Sequence, residues 1–146
     1  MSFRIVIDTR EQLPYGFTCE TIRRRLEAGD YSVEGFEALV AVERKSLADF
    51  ASTVIHDRAR FERELVKLRA YQAACIVVEA DLDAILRGER EVEMHAVAPA
   101  SLLGASLEIT LRHRIPVFWC GSRQAACLFT GQYLRMFVRH HLEALR

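Results

Sequence analysis

Residues 39–50, LVAVERKSLADF, constrain the fold of this 146-residue chain more than any other stretch. An apolar, β-branched run leads into Glu43, Arg44 and Lys45, and the periodicity then changes. Leu47, Phe50, Ala51 and Val54 fall at i, i+3, i+4 and i+7, the apolar stripe of a short helix. Three adjacent charges therefore sit where a buried strand gives way to a helix. They are either a strand emerging into solvent or one half of a charged site.

The rest of the chain reads as alternating strands and helices. FRIVID (3–8) predicts a first strand, and TREQLPYGF a loop with Pro14 and Gly16 as turn residues. TIRRRL (21–26) fits a helix or an edge strand. YSVEGFEALVAVERK predicts a β-hairpin around Gly35. Asp57 is placed to cap a helix with Phe61, Leu65, Leu68 and Gln72 along one side. ACIVVEA (74–80) is too short for a helix and predicts a buried strand, followed by a helical turn at 84–86 and a charged loop at 87–97. Pro99 suits the first position of a helix to about His113. IPVFWC predicts another buried strand, and Ser122 caps a last helix ending near Leu142. Strands separated by helices define an α/β domain, a central sheet with helices on its faces.

Strand geometry sharpens the charged triplet. Successive side chains on a strand point to opposite faces, so Glu43 and Lys45 share one and Arg44 takes the other. With Phe36 and Glu37 as the central turn residues, counting outward sets Asp30 opposite Glu43, at a Cβ separation of about 4.5–5.5 Å. Opposed like charges destabilise a hairpin unless a cation or a proton sits between them. Mg²⁺ is held by one or two carboxylates together with waters and substrate phosphate. Asp30, Glu43 and Lys45 thus supply the parts for metal-assisted phosphodiester hydrolysis, with the lysine set to orient water or offset transition-state charge.

Composition narrows the remaining classes. Apolar residues make up 51% of the chain, enough to bury a core, and no run approaches the roughly 20 residues that span a membrane. A soluble, intracellular (cytoplasmic) protein is expected. Twenty basic residues balance twenty acidic ones, so net charge gives no nucleic-acid signal. Cys19, Cys75, Cys120 and Cys127 form no C-x-x-C pair and read as reduced core residues. His56 is expected in a loop, and His95, His113, His140 and His141 at the surface; Trp119 is expected in the core. Tyr15 and Phe17, loop aromatics near Asp8, are candidates for a wedge at a DNA junction.

Several ordered motifs then make a family resemblance. DTRE (8–11), GDY (29–31) and ERKSLAD (43–49) together resemble the GD-x(n)-ERK-x-x-x-D motif of the XPF-type, structure-specific DNA endonucleases. Arg60, Phe61 and Glu64 resemble the family's R-F-x-x-E helix, and IVVEAD its following strand. The resemblance implies a restriction-endonuclease-like fold, a central mixed β-sheet flanked by α-helices, and Mg²⁺- or Mn²⁺-dependent cleavage of branched, flapped or nicked DNA. By position, Asp30 and Glu43 become metal ligands with the Arg44 backbone carbonyl as a third, and Lys45 the catalytic lysine. Asp8 and Asp49 become supporting acids that hold a second metal or orient Lys45. Arg10, Glu11, Arg44, Arg60 and Glu64 become phosphate-contacting or supporting residues.

The resemblance is strong over residues 3–83 and looser beyond, and the chain is expected to form a single nuclease domain over 1–146. Better-known members of the family append helix-hairpin-helix modules, for which 146 residues leave no room. A separate DNA-binding partner protein or a homodimer is therefore expected to complete the DNA surface. The last helix carries Leu128, Phe129, Tyr133, Leu134, Met136, Phe137 and Val138, more apolar circumference than one core-facing stripe needs, so helices in 99–142 are the expected homodimer surface. The alternative is a non-catalytic DNA-binding or scaffolding subunit. Retention of the acids and the lysine favours the enzyme.

Overall fold

The computed structural model describes residues 2–88 and 97–146. Six strands form one mixed sheet: β1 (Arg4–Ile7), β2 (Glu20–Arg23), β3 (Tyr31–Val33), β4 (Val40–Lys45), β5 (Ala73–Val78) and β6 (Val117–Trp119), in the order β2-β1-β3-β4-β5-β6. Antiparallel pairs join β1 to β3 and β3 to β4, and parallel pairs form the rest of the sheet. The helices are α1 (Leu47–Ile55), α2 (Arg58–Arg69), α3 (Leu82–Leu86), α4 (Pro99–Arg112) and α5 (Arg123–Ala144).

The sheet separates two cores. Phe50, Phe61, Leu68 and Leu102 from α1, α2 and α4 pack with Ala41, Ile76 and Val78 on one face. Leu134 and Val138 of α5 pack with Val40, Val42, Cys75 and Val77 on the other. Strand β5 is buried on both faces, as expected of an apolar run between parallel neighbours. This two-sided packing fixes the alternation of β4: Ala41, Glu43 and Lys45 turn toward α1 and α2, while Val40, Val42 and Arg44 turn toward α5.

The hairpin register is the expected one, with Tyr31 opposite Val42. Its connection is longer than a two-residue turn. Residues 34–39 fold back on themselves through bonds from the Phe36 amide to the Val33 carbonyl and from the Val40 amide to the Phe36 carbonyl. Gly35 adopts φ +89° there, a conformation that costs glycine little. Because the loop stays centred on Phe36 and Glu37, its length leaves the pairing unchanged.

Of the other expectations, some hold and some are corrected. TIRRRL contributes an edge strand, parallel to β1. Helix α2 ends at Arg69, so Gln72 is exposed beyond it, and Asp57 takes the N-cap position without a side-chain hydrogen bond. Ser46 caps α1 and Ser122 caps α5 through bonds from the Asp49 and Ala125 amides. His113 is buried, with Nε2 3.0 Å from Glu62 Oε1, because the end of α4 packs against α2. His141 is half-buried against Phe137 and Phe36. The four cysteines are free, Cys75 fully buried and the others half-buried. Trp119 lies edge-on to Phe50 at 5.4 Å but is only half-buried against the core, as is the whole of β6, where the sequence predicts a buried strand. Most of the charged loop expected at 87–97, with His95, lies outside the described residues.

Candidate active site

Where β3 and β4 diverge, a cleft of about 340 Å³ opens between the sheet, α1 and α2. Asp8, Arg10, Asp30, Glu43, Lys45, Arg60 and Glu64 line it. The approach of β3 to β4 depends on Gly29, which sits at φ +79°. A Cβ there would lie 3.1 Å from Ala41 Cβ and 3.2 Å from the Val42 carbonyl oxygen. The Gly29 amide donates to Glu64 Oε1 at 3.0 Å, which ties α2 to this turn.

Asp30 follows directly. Its amide donates to the Val42 carbonyl at 2.9 Å, and its Oδ2 accepts the Arg44 amide at 2.7 Å. The carboxylate thus takes the ladder position that β3 vacates. Burial is the main force on its acidity, opposed by the Arg44 amide and aided by the charge on Glu11, and it carries the Asp30 carboxyl up to about 6. Burial and then the neighbouring Asp30 charge hold Glu43 well above the usual carboxylate range. Burial and mutual repulsion thus raise both carboxyls and favour a proton on the pair. A proton between them resolves the like-charge conflict in the metal-free protein.

The donor set fits a hard divalent cation. Both carboxylates face the cleft, and alternation along β4 sends the Arg44 carbonyl to the same side as its amide, toward Asp30. Two carboxylates and a main-chain oxygen suit Mg²⁺ or Mn²⁺, which keep several waters. Asp8 adds no free oxygen. Its Oδ1 accepts the Leu26 amide at 2.8 Å and its Oδ2 accepts Arg10 Nε at 2.8 Å. Burial works against ionisation of Asp8, yet the Arg10 and Leu26 bonds outweigh it and lower its pKa. Accordingly, no group of three His, Cys, Asp or Glu side chains is arranged to hold a metal among the described residues.

Lys45 stands on the Glu43 face. Its Nζ donates to Thr53 Oγ1 at 3.3 Å and lies 4.8 Å from the centroid of the Phe61 ring. Asp49 is exposed on α1, and its carboxylate is not among the cleft-lining groups. Arg10 reaches from Asp8 to the Leu26 carbonyl at 2.8 Å while remaining 59% exposed at the rim. Arg60 is an exposed rim residue on α2.

Arg44 and Glu11 lie elsewhere. Through alternation the Arg44 side chain enters the opposite face, where Nε and Nη2 grip Glu79 at 2.9 and 3.0 Å. Glu11 approaches the same guanidinium at 3.5 Å, and Tyr15 donates its hydroxyl to Glu79 at 2.6 Å. Tyr31 donates to Glu11 at 3.3 Å and accepts the Tyr15 amide at 2.9 Å. Arg123, first residue of α5, completes the group from 3.5 Å and donates to the Leu13 carbonyl at 2.6 Å. Tyr15 is only 3% exposed and stacks on Tyr31, so it is no wedge, and Phe17 packs edge-on against both rings.

Sequence reasoning missed Thr53, Asp57 and Glu79. Thr53 and Asp57 line the cleft, and Glu79 anchors the rear network. Glu79 follows the apolar run of β5 and carried a visible cue, a charge ending a doubly buried strand.

A mixed sheet whose hairpin end carries paired carboxylates and a lysine defines a restriction-endonuclease-like α/β nuclease fold. The ERCC4 domain model matches residues 7–133, and the chain belongs to the ERCC4-domain family. XPF from Aeropyrum pernix has the same fold, at TM-score 0.69 and 24% identity over 91% of this chain and 60% of that one. The same protein in complex with DNA superimposes at TM-score 0.71, with 23% identity over 93% of this chain and 65% of that one. The chain therefore spans less than two thirds of either solved relative. No curated protein sequence matches it.

Proposed function

We propose that this chain is a divalent-cation-dependent DNA endonuclease that hydrolyses phosphodiester bonds in branched, flapped or nicked DNA. The observation that carries this reading is the Asp30–Glu43 carboxyl pair sharing one cleft with Lys45. Such a pair costs folding energy unless a cation or a proton joins it. That the Aeropyrum pernix relative was solved with DNA supports DNA as the substrate.

Asp30, Glu43 and the Arg44 carbonyl would hold Mg²⁺ or Mn²⁺. When bound, the cation supplies Lewis-acid polarisation of a phosphoryl oxygen. The Lys45 ammonium, on the same face, stabilises negative charge that builds on the phosphate during attack by water. Arg10 and Arg60 at the rim pair with flanking phosphates and set the strand's register. Asp8 keeps Arg10 in place through its two-oxygen grip. Arg44 and Glu11 support β4 from behind, and Glu64 holds the Gly29 turn.

The reading includes a homodimer through the C-terminal helices. Leu128 and Met136 remain 67% and 44% exposed on α5, an apolar surface its own core leaves uncovered. Light scattering of the purified chain tests this, with Leu128→Glu expected to yield monomer.

Labelled flap, fork, nicked and intact duplex DNA, incubated with purified protein and Mg²⁺ or Mn²⁺, tests the activity. Cleavage of the first three by wild type, lost in Asp30→Asn, is the expected result. Absence of cleavage on every substrate, or full activity in Asp30→Asn, overturns it.

A further inference from the structure

Thr53 carries a role that its position on α1 does not by itself require. It is 6% exposed, in a helix whose other buried residues are Leu47, Phe50 and Ala51. A hydroxyl has one proton to give and lone pairs to receive. Thr53 gives its proton to the Asp49 carbonyl, four residues back, at 2.8 Å. Its lone pairs are thereby turned outward, and the Lys45 ammonium donates into them at 3.3 Å. On its other side the ammonium meets the face of Phe61 at 4.8 Å.

We infer that Thr53 is a positioning residue for Lys45: its hydroxyl, oriented by the Asp49 carbonyl, holds the ammonium against Phe61 on the cleft wall beside Asp30 and Glu43. The inference rests on the nuclease reading for its consequence, although the contact itself does not. Three considerations support it. A lysine chain has four rotatable bonds and, left free, would move toward the two carboxylates, neutralising them and competing with a cation for the same oxygens. Thr53 and Phe61 both line the cleft, so the ammonium they hold stays on its wall. Thr53 is the one polar member of the buried stripe of α1, and threonine is a weaker helix former than alanine.

The arrangement also gives Asp49 a part different from that of its carboxylate. The main chain of Asp49 orients the threonine, and its side chain points away from the cleft lining. A long hydrogen bond is usual for catalytic groups before substrate binds.

The test compares Thr53→Val, which keeps the shape and removes the acceptor, with Thr53→Ser, which keeps the hydroxyl. Loss of a partner that positions a catalytic group is expected to cost about 10- to 100-fold in rate, the scale of a misplacement of about 1 Å. Thr53→Val is expected to lower kcat for flap cleavage within that range with KM for DNA unchanged, and Thr53→Ser to restore most of it. The Lys45 side-chain ¹³Cε and ¹⁵Nζ resonances, recorded without metal, give a readout independent of activity. They are expected to move in Thr53→Val and to stay near wild type in Thr53→Ser. Wild-type kcat in Thr53→Val, an equal defect in both variants, or an unmoved Lys45 resonance overturns the inference. If wild type cleaves no DNA, the nuclease reading falls and the resonances still decide whether Thr53 positions Lys45.

Discussion

The two faces of β4 make opposite use of charge. Toward α5, Arg44 meets Glu79 and Glu11 in a network where each charge has a partner of opposite sign. Toward α1 and α2, Asp30 and Glu43 crowd like charges together, and Lys45 is held on Thr53 and Phe61. Adjacent residues of one strand thus build a satisfied region and a frustrated one, 43 and 45 forward, 44 behind. A satisfied rear face lets the strand hold its shape while the front remains open to a ligand of opposite charge.

The largest effect expected is on the frustrated face. On the proposed reading Glu43→Gln removes an anionic metal ligand, and loss of several kcal/mol of charge stabilisation is expected to lower cleavage by about 10³-fold. The same variant relieves the carboxyl conflict, so its thermal midpoint without metal at pH 7.5 is expected to equal or exceed wild type. Lower stability there would show that the pair is not in conflict.

Breaking the satisfied face acts the other way. The side chains of Arg44 and Glu79 are 12% and 7% exposed, and losing one partner of a buried pair strands the other. Arg44→Met is expected to cost about 3 kcal/mol in urea unfolding. A loss below ~1 kcal/mol, the range of exposed pairs, would remove the contrast between the faces.

The third effect depends on pH. Asp30 is raised from an ordinary 3.8 to about 6 and Glu43 is also raised, so the folded chain binds more protons than the unfolded chain across that window. The contribution of this pair to the stability of the metal-free protein therefore falls as pH climbs from 3.8 through about 6 and beyond. If Mg²⁺ binds the ionised pair as proposed, its stabilisation is expected to be larger at pH 7.5 than at pH 5, by roughly 5 °C in midpoint. Equal metal shifts at both pH values would contradict this.

The smallest effect is Tyr15→Phe. It deletes the 2.6 Å bond to Glu79 and leaves the stack on Tyr31 intact, at an expected cost of about 1 kcal/mol with cleavage unchanged.

Much of the front face was legible in the sequence. Asp30 and Glu43 are joined by a local hairpin, and its register follows from where the turn is centred, whatever the turn's length. The separation of Glu43 and Lys45 from Arg44 follows from alternation alone. The rear face was not legible for a topological reason. Arg44 meets Glu79 across 35 residues, Tyr15 meets Glu79 across 64, and Arg123 meets Leu13 across 110. No local period encodes such pairings, which arise only once β5 lies beside β4 and α5 covers the sheet. Thr53 escaped for a different reason: its stripe on α1 was identified from apolar residues, and a threonine in it reads as surface. The burial of Tyr15, a loop aromatic by sequence, follows from the same late packing.

The bond from the Arg44 amide to Asp30 Oδ2 has one more consequence. Strand β3 stops at Tyr31 while β4 runs on to Lys45, which bares a length of sheet edge. An open edge recruits other strands, and proteins usually guard it with charge or cover. Here the guard is the carboxylate that the proposed chemistry also uses. Asp30→Ala would therefore unplug the edge as well as disarm the site, inviting self-association that could pass for a change in assembly. Asp30→Asn keeps an acceptor for the amide, and it is the safer reagent for separating what the site does from how the chain associates with its copies.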